Sequence, residues 1–569
     1  MWKAHICAET MSGNSLLSLL VHSICEQLQF SLSRNSLPRG SPASLSLAPG
    51  CPSVDILKSG GTAVDAAIAG LICTSVMNPQ SSGLGGGVIF TIYNASTGAV
   101  EVINARETVP QVFPHNLLPC VTLPFCSSGP RWIGVPGELR GYEEAHKRHG
   151  RLPWKALFEP TIKLLSEPLV ISPVLNKILH HPAFSTLSLT CQHGAQALGD
   201  SFRWPVLQQT LQAVAEHGAT AFYEGEIGKA LVEDLRKAGS SLSLEDLQAY
   251  KAEVSSALNI TLNNHTTMFA PGPPMGGAVL MFILKVLEGY KFHEASLATP
   301  EEKVETYHRI AEALKFGNML RPHMSDPAFS EAKVNSMSGR EENTLEMLLK
   351  RNLARQRIDA RGDHSLSHYN LLESLYNDKY ESMGTSHISV LAADGSAVSA
   401  TSTINYPFGS FVYSNQTGII LNNELADFCI ANRSIKSGEH PHPQNKAQGE
   451  KPPSAMVPSI LISKTGDMLV IGGAGGAWII SATTMAIINK LWFGYDLEHA
   501  ILAPVMHTQG DSVLFEEHFS QEVRTGLLER GHKEKKDKFA MNVVQGISKE
   551  GKFISAFSDK RKLGKSAGY

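Results

Sequence analysis

No two of the eight cysteines stand in a CxxC pair. That removes the usual framework of a zinc ribbon or finger, and no metal is expected. An excess of charge is missing as well: 50 Lys and Arg against 53 Asp and Glu leave a net −3. Such a balance gives no case for nucleic acid. The one dense basic run, Lys533 to Lys538, is broken by Glu534 and Asp537 and reads as a solvated loop. Ser15–Phe30 is leucine-rich, but His22, Glu26 and Gln27 interrupt it. It falls short of the ~20 apolar residues of a membrane span and has no clear charged leader or cleavage site. A dinucleotide fingerprint is absent too. The glycine loop Gly83-Leu84-Gly85-Gly86-Gly87 precedes a strand instead of following one and opening a helix, so close backbone packing is the better reading. No cofactor is expected.

What is there is ordinary globular material, 43% hydrophobic and 18% charged over 569 residues. Length alone suggests roughly three or four domains. Residues 33–52 are rich in Ser, Pro and Gly, and residues 1–53 read as a divergent, disordered segment. Five N-x-S/T sequons, at Asn94, Asn259, Asn264, Asn415 and Asn432, mark candidate glycosylation sites and favour a secretory context.

Along the chain, residues 59–72 form a capped helix that is apolar nearly all round and therefore buried. Strands follow at 88–93 and 100–104, and the second delivers Arg106, a side chain suited to gripping a carboxylate with two parallel bonds. From Gly134 to about Leu353 the pattern is mostly helical, with amphipathic segments at 138–149, 206–217, 226–238 and 301–316. Strands at 459–463 and 468–472 lead into Gly472-Gly473-Ala474-Gly475-Gly476, which opens a helix near 479–492. Backbone N–H groups at such a start can hold a negative charge.

The stretch around Gly384-Thr385-Ser386-His387 has the form of a chain that cuts itself. A small residue precedes a hydroxyl that opens the alternating run 385–391. Were the Gly384–Thr385 bond broken, Thr385 would carry nucleophile and base together, because a free α-amine titrates at about 7.7–8.0 and can take the hydroxyl proton. An ordinary strand threonine is the commoner reading of the stretch by itself. Asp394-Gly395 then turns the run into a hairpin. A three-residue loop, 393–395, with Gly395 left-handed sets Thr385 opposite Thr403, with Asn405 as a diagonal neighbour. A two-residue turn would slip the register and send Thr403 to the other face.

Taken together, Gly60-Gly61-Thr62-Ala63-Val64-Asp65-Ala66-Ala67, the 83–87 loop, Asn104-Ala105-Arg106-Glu107, Gly384-Thr385-Ser386-His387, Ser402-Thr403-Ile404-Asn405, Asn422-Asn423-Glu424, the 472–476 loop and Ala567-Gly568-Tyr569 resemble the gamma-glutamyltransferases (gamma-glutamyl transpeptidases). Within them the chain looks most similar to the gamma-glutamyl leukotrienase branch. The resemblance covers about 54–569. It implies an α+β fold, the four-layer αββα sandwich of the N-terminal-nucleophile hydrolases, in place of three or four domains. It also implies cleavage between Gly384 and Thr385 into a large piece, 54–384 after the divergent segment, and a small catalytic piece, 385–569, which stay together as a heterodimer.

The implied substrates are glutathione, its S-conjugates and leukotriene C4, with water, amino acids or dipeptides as acyl acceptors. The roles carried over are Thr385 as nucleophile with Thr403 in support. Arg106 and Ser454 hold the glutamyl α-carboxylate, Asn405, Glu424 and Asp427 hold the α-ammonium, and the Gly475 and Gly476 amides form the oxyanion hole. A disulfide between Cys51 and Cys73 and a place on the extracellular face of the plasma membrane, as a single-pass type II protein, are further implications. The family's signal-anchor has no counterpart in residues 1–53, which leaves a secreted form or a mis-assembled start as the alternative. A second departure is Ala455, where the family carries the second of two adjacent serines. Two other readings stand beside this one: a related acylase such as a cephalosporin acylase, and an uncleaved glycoprotein that acts by binding.

Overall fold

A computed structural model of the chain describes residues 45–47, 52–112, 128–180, 199–318, 320–321, 324–329, 345–359, 368–369, 384–428, 448–536 and 542–568. Its frame is two large sheets packed face to face. In chain order the principal elements are β1 (Leu45–Leu47), α1 (Ala63–Met77), β2 (Gly87–Tyr93), β3 (Val100–Ala105), α2 (Glu138–His149), α3 (Trp154–Leu165), β4 (Glu253–Ser256), β5 (Leu258–Thr261) and β6 (Thr266–Ala270). Then come α4 (Gly277–Glu288), α5 (Pro300–Asn318), β7 (Gly384–Leu391), β8 (Ala397–Asn405), β9 (Ser459–Ser463), β10 (Met468–Ala474), α6 (Trp478–Leu491), β11 (Val543–Glu550), β12 (Phe553–Ser558) and β13 (Lys565–Ala567).

The first sheet runs β13-β1-β7-β8-β2-β3-β4 and the second β12-β11-β10-β9-β6-β5. Helices α1 and α2, with α3 packed on α1, cover the outer face of the first, while α4 and α6, backed by α5, cover the second. The result is helix, sheet, sheet, helix, as expected. Two large apolar clusters fill it, one on the first sheet and its helices, the other on the second sheet and its own, and a smaller one with Leu391, Ala397, Ile460 and Val470 joins the two sheets.

Local chemistry explains the elements nearest the site. Thr62 caps α1: its Oγ1 accepts from the Asp65 N–H at 3.1 Å, and Asp65 Oδ2 accepts from the Thr62 N–H at 2.9 Å. All but the last residue of α1 is buried, so the helix has no polar face to turn outward. The glycine loop after it is packed backbone to backbone, as expected. A Cβ on Gly86 would lie 2.1 Å from the Thr403 carbonyl oxygen, and one on Gly85 2.1 Å from that of Ile420. Only glycine lets these strands approach so closely.

The β7–β8 hairpin adopts the three-residue loop. Gly395 has φ +87°, its N–H donates to Ala392 O, and Thr385 faces Thr403. Asn405 differs from its expected diagonal place. A bulge between Thr403 and Asn405 sets Asn405 against Gly384, with φ +73°. An extra residue of this kind bends the strand and re-aims the side chain.

Three expectations are corrected. Leu45–Leu47, inside the segment read as disordered, is a strand that fills the gap between β13 and β7. Lys533 and Glu534 are not loop: they add a short parallel strand, and each meets an opposite charge, Asp511 or Arg524. The stretch read as mostly helical contains β4, β5 and β6. Among the described residues no helix is long and apolar enough to cross a membrane.

Candidate active site

Thr385 and Thr403 meet at the start of the β7–β8 pair, and both are buried. Their Oγ1 atoms lie 3.3 Å apart. Thr403 Oγ1 donates to the Gly384 carbonyl oxygen at 2.6 Å and accepts from the Asn405 N–H at 2.9 Å. With its own proton committed to Gly384, Thr403 is left to accept from Thr385. In the uncut chain, then, the hydroxyl facing Thr385 also polarises the carbonyl of the bond expected to break. A Cβ on Gly384 would approach Tyr406 O at 2.5 Å, so the small residue there is a steric requirement.

His387 is the nearest histidine in sequence, and it is no base for Thr385. Burial pushes its pKa down to about 3, and its ring nitrogens contact Thr401 Oγ1 at 2.9 Å and Ser389 Oγ at 3.1 Å.

The charged groups form one buried knot. Arg106 Nη1 lies 2.8 Å from Glu424 Oε2, and Nη2 lies 2.6 Å from Asp427 Oδ2. Arg106 also donates from Nε to Pro452 O and from Nη2 to Pro453 O. Glu107 stands 3.7 Å from Nη1. Asn405 Nδ2 donates to Asp427 Oδ1 at 3.0 Å, which ties the knot to Thr403 through the Asn405 backbone. Three carboxyls around one guanidinium do not all ionise in a dry site. Burial pushes Glu107 up to about 8, with the Arg106 guanidinium pulling the other way. Burial also raises Glu424 and Asp427, with Arg106 pulling both back down.

The groups assigned to opposite ends of an amino-acid head group are therefore in direct contact. A zwitterion can exchange into that contact, carboxylate to Arg106 and ammonium to Glu424 and Asp427. Ser454 follows Pro453 on the same loop, but its Oγ accepts from the Met456 N–H at 3.2 Å. Ala455 beside it packs against the second apolar cluster. An Ala455→Ser variant is expected to lower KM for a gamma-glutamyl anilide with kcat unchanged, by an added hydrogen bond of roughly 1–3 kcal/mol. Steady-state kinetics of the two proteins checks this, and an unchanged KM would count against it.

Strand β10 of the other sheet runs alongside the hairpin. Ser399 Oγ donates to Ile471 O at 3.1 Å, and Gly472 lies so close to His387 that a Cβ would sit 2.3 Å from its ring. Strand β10 thus advances along the hairpin toward Thr385. Gly475 and Gly476, at φ +118° and +60°, come just beyond it and before α6. These are backbone shapes that glycine adopts most readily.

Sequence reasoning missed two neighbours. Tyr250 donates from its hydroxyl to Arg106 O at 2.7 Å. Lys562 Nζ donates to the Thr385 carbonyl oxygen and to Ser81 Oγ. Only the position of Lys562 close to the C-terminal motif hinted at the second.

Of the sequon residues, Asn259, Asn264 and Asn415 are exposed and Asn94 is half-buried, while Asn432 lies outside the described residues. Cys73 is disulfide-bonded; Cys51 and all the other cysteines lie outside the described residues. One His/Glu grouping of metal-binding type occurs among the described residues, His308, Glu312 and His532. The Lys315 ammonium stands within it, 2.8 Å from His532 Nδ1, where a cation would otherwise go.

The gamma-glutamyltranspeptidase family model matches residues 53–569. The chain belongs to the gamma-glutamyltranspeptidase family. It is 50% identical over 539 residues to human glutathione hydrolase 5 proenzyme, covering 90% of each chain. It is 35% identical to scoloptoxin SSD14 of Scolopendra dehaani, over 90% of this chain and 89% of that one. Among solved structures, the cephalosporin acylase of Bacillus halodurans superposes with TM-score 0.77 over 95% of this chain and 98% of its own, at 22% identity. That likeness shows the shared N-terminal-nucleophile hydrolase fold and nothing of the substrate.

Proposed function

We propose that this member of the gamma-glutamyltranspeptidase family is a self-processing glutathione hydrolase and gamma-glutamyltransferase whose nucleophile is Thr385. The observation that carries the reading is the contact of Thr385 Oγ1, Thr403 Oγ1 and the Gly384 carbonyl. In maturation, Thr385 Oγ1 attacks the Gly384 carbonyl carbon while Thr403 donates to its oxygen. As the ester forms, the Oγ1 proton passes to the Thr385 nitrogen and the C–N bond breaks, freeing the α-amine; water then hydrolyses the ester to the Gly384 carboxylate and the restored Thr385 hydroxyl.

In turnover, that amine takes the Oγ1 proton and Oγ1 attacks the γ-carbonyl of the substrate. The Gly475 and Gly476 N–H groups stabilise the oxyanion. The leaving amine departs with the proton, and the γ-glutamyl-threonine ester passes to water or to an amino acid or dipeptide.

Arg106 with Glu424, Asp427 and Asn405 selects a free amino-acid head group, which favours gamma-glutamyl compounds over the side chains of acylase substrates. Glutathione, its S-conjugates and leukotriene C4 share that head group. The two pieces remain a heterodimer, with glycans at the exposed sequons, on the outer face of the plasma membrane or secreted.

The test is expression in a secretory host, a reducing denaturing gel, and N-terminal sequencing of the smaller band. A band beginning Thr385-Ser386-His387 is expected. A single full-length band from folded protein would sink the reading and favour the binding-only alternative.

A further inference from the structure

The approach to Thr385 from the far end of the chain carries a further inference. Lys562 ends the short turn Lys560–Lys562, and Leu563 at φ +53° follows it. Its flanking residues face outward: Lys560 pairs with Glu498 at the surface, and Leu563 is exposed. Arg561, between them, is held by Glu516 and Asp559. Lys562 alone of the run turns into the protein, and its side chain is buried.

Desolvation pulls its pKa down to about 7, and among the described residues no carboxylate pairs with it. A long cationic side chain is rarely buried without a partner charge, because several kcal/mol of hydration are lost. Here its partners are two oxygens: the Thr385 carbonyl, and Ser81 Oγ at 3.0 Å in the glycine-rich loop that packs on Thr403.

In the uncut chain Thr385 is held from both sides, by the peptide bond to Gly384 and by its ladder with β8. After cleavage the first tether is gone, and a new strand terminus frays unless tied down. The Thr385 carbonyl is then the last fixed backbone group before the nucleophile. We propose that Lys562 is the positioning residue of the nucleophile, its Nζ clamping the Thr385 carbonyl to Ser81 so that the freed terminus stays opposite Thr403. The inference rests on the assignment of Thr385 as nucleophile. It has a particular signature: the clamp is redundant before cleavage and needed after it.

The experiment compares Lys562→Gln, Lys562→Arg and Ser81→Ala with the wild-type chain. Maturation is followed on denaturing gels and hydrolysis of a gamma-glutamyl anilide by steady-state kinetics. Lys562→Gln is expected to self-cleave, with kcat about tenfold lower or more and KM held within about twofold, since the head-group knot is untouched. Lys562→Arg, which keeps a donor of similar reach, is expected to recover part of kcat. Ser81→Ala, which leaves Lys562 its carbonyl partner, is expected to fall between.

Wild-type kcat in both Lys562→Gln and Ser81→Ala would overturn the proposal, as would a loss seen in KM with kcat intact. Should Lys562→Gln fail to fold, Lys562→Arg and Ser81→Ala decide by the same kcat and KM criterion. A wild-type chain that does not split before Thr385 would instead remove the functional reading itself.

Discussion

Thr385→Ala is expected to give a folded, full-length chain that neither splits nor turns over. The substitution removes the hydroxyl placed 3.3 Å from Thr403 Oγ1, the atom proposed to attack in both maturation and catalysis. The strand should tolerate the change. The pairing from Thr385 to Leu391 is carried by backbone groups, and losing a few side-chain atoms from a buried threonine costs about 1–2 kcal/mol. Activity on a gamma-glutamyl anilide should fall by at least about a thousandfold, the usual consequence of deleting a nucleophile. Thr385→Ser keeps the hydroxyl and should keep slow cleavage and measurable turnover. Gel analysis and kinetics of the three proteins side by side provide the check. A Thr385→Ala chain that still released a fragment beginning at residue 385 would show that Thr385 Oγ1 is not the attacking atom.

The second large effect belongs to Arg106. Arg106→Gln leaves Glu424 and Asp427 buried with their cation removed, a loss that costs about 3–5 kcal/mol when one partner of a buried pair is deleted. Two consequences separate a structural from a recognition role. In stability, carboxyls whose folded pKa already lies above the ordinary range rise further without the guanidinium. The folded variant then holds protons that the unfolded chain has released, so its stability falls as pH rises above about 4.5. The gap in Tm between the variant and the wild type should narrow from pH 8 to pH 5.

In recognition, the variant should raise KM for a gamma-glutamyl anilide by about tenfold or more. Hydrolysis of the 4-aminobutyryl anilide, which lacks the α-carboxylate, should change far less. Equal losses on both substrates would mean that Arg106 only holds the fold.

How much of this was legible beforehand depends on range. The helix 138–149 and the strand 459–463 have the expected bounds, and α1 carries the expected cap, because each is written in a local pattern of apolar spacing and capping side chains. Asp394-Gly395 marked the hairpin but left two registers open, and the three-residue loop with Gly395 left-handed selects the one that pairs Thr385 with Thr403. Strands β4 to β6 were lost inside a helical stretch. Glu253–Ser256 is exposed along its whole length at a sheet edge, so it shows no apolar alternation. Thr266–Ala270 does alternate, but five residues between helices give a weak signal.

The site divides in the same way. Thr385, Thr403 and the Gly475–Gly476 turn carry a chemical signature in their own neighbourhoods. Arg106, Glu424 and Asp427 stand more than 300 positions apart in part, and only the family resemblance joined them in advance. Even so, it did not foresee that they would pair with one another. Lys562, 177 positions from Thr385, sits in a basic run whose neighbours are surface residues. Its place close to the C-terminal motif was the one local signal.

The strand order of the first sheet has a consequence for how such a protein lives after it has been made. β2, β3 and β4 precede Gly384, while β7, β8 and β13 follow it, and β8 is zipped to β2 over seven residue pairs. Folding of the intact chain brings these strands together as a unimolecular event, aided by the high local concentration that one covalent backbone provides. The proposed cleavage before Thr385 would discard that advantage permanently. A molecule so cut would keep its shape only because its halves are already interleaved. Once denatured it must reassemble from two separate strangers in solution, with a yield that depends on dilution. Its persistence is then governed by how slowly it comes apart, and no longer by an equilibrium it can revisit.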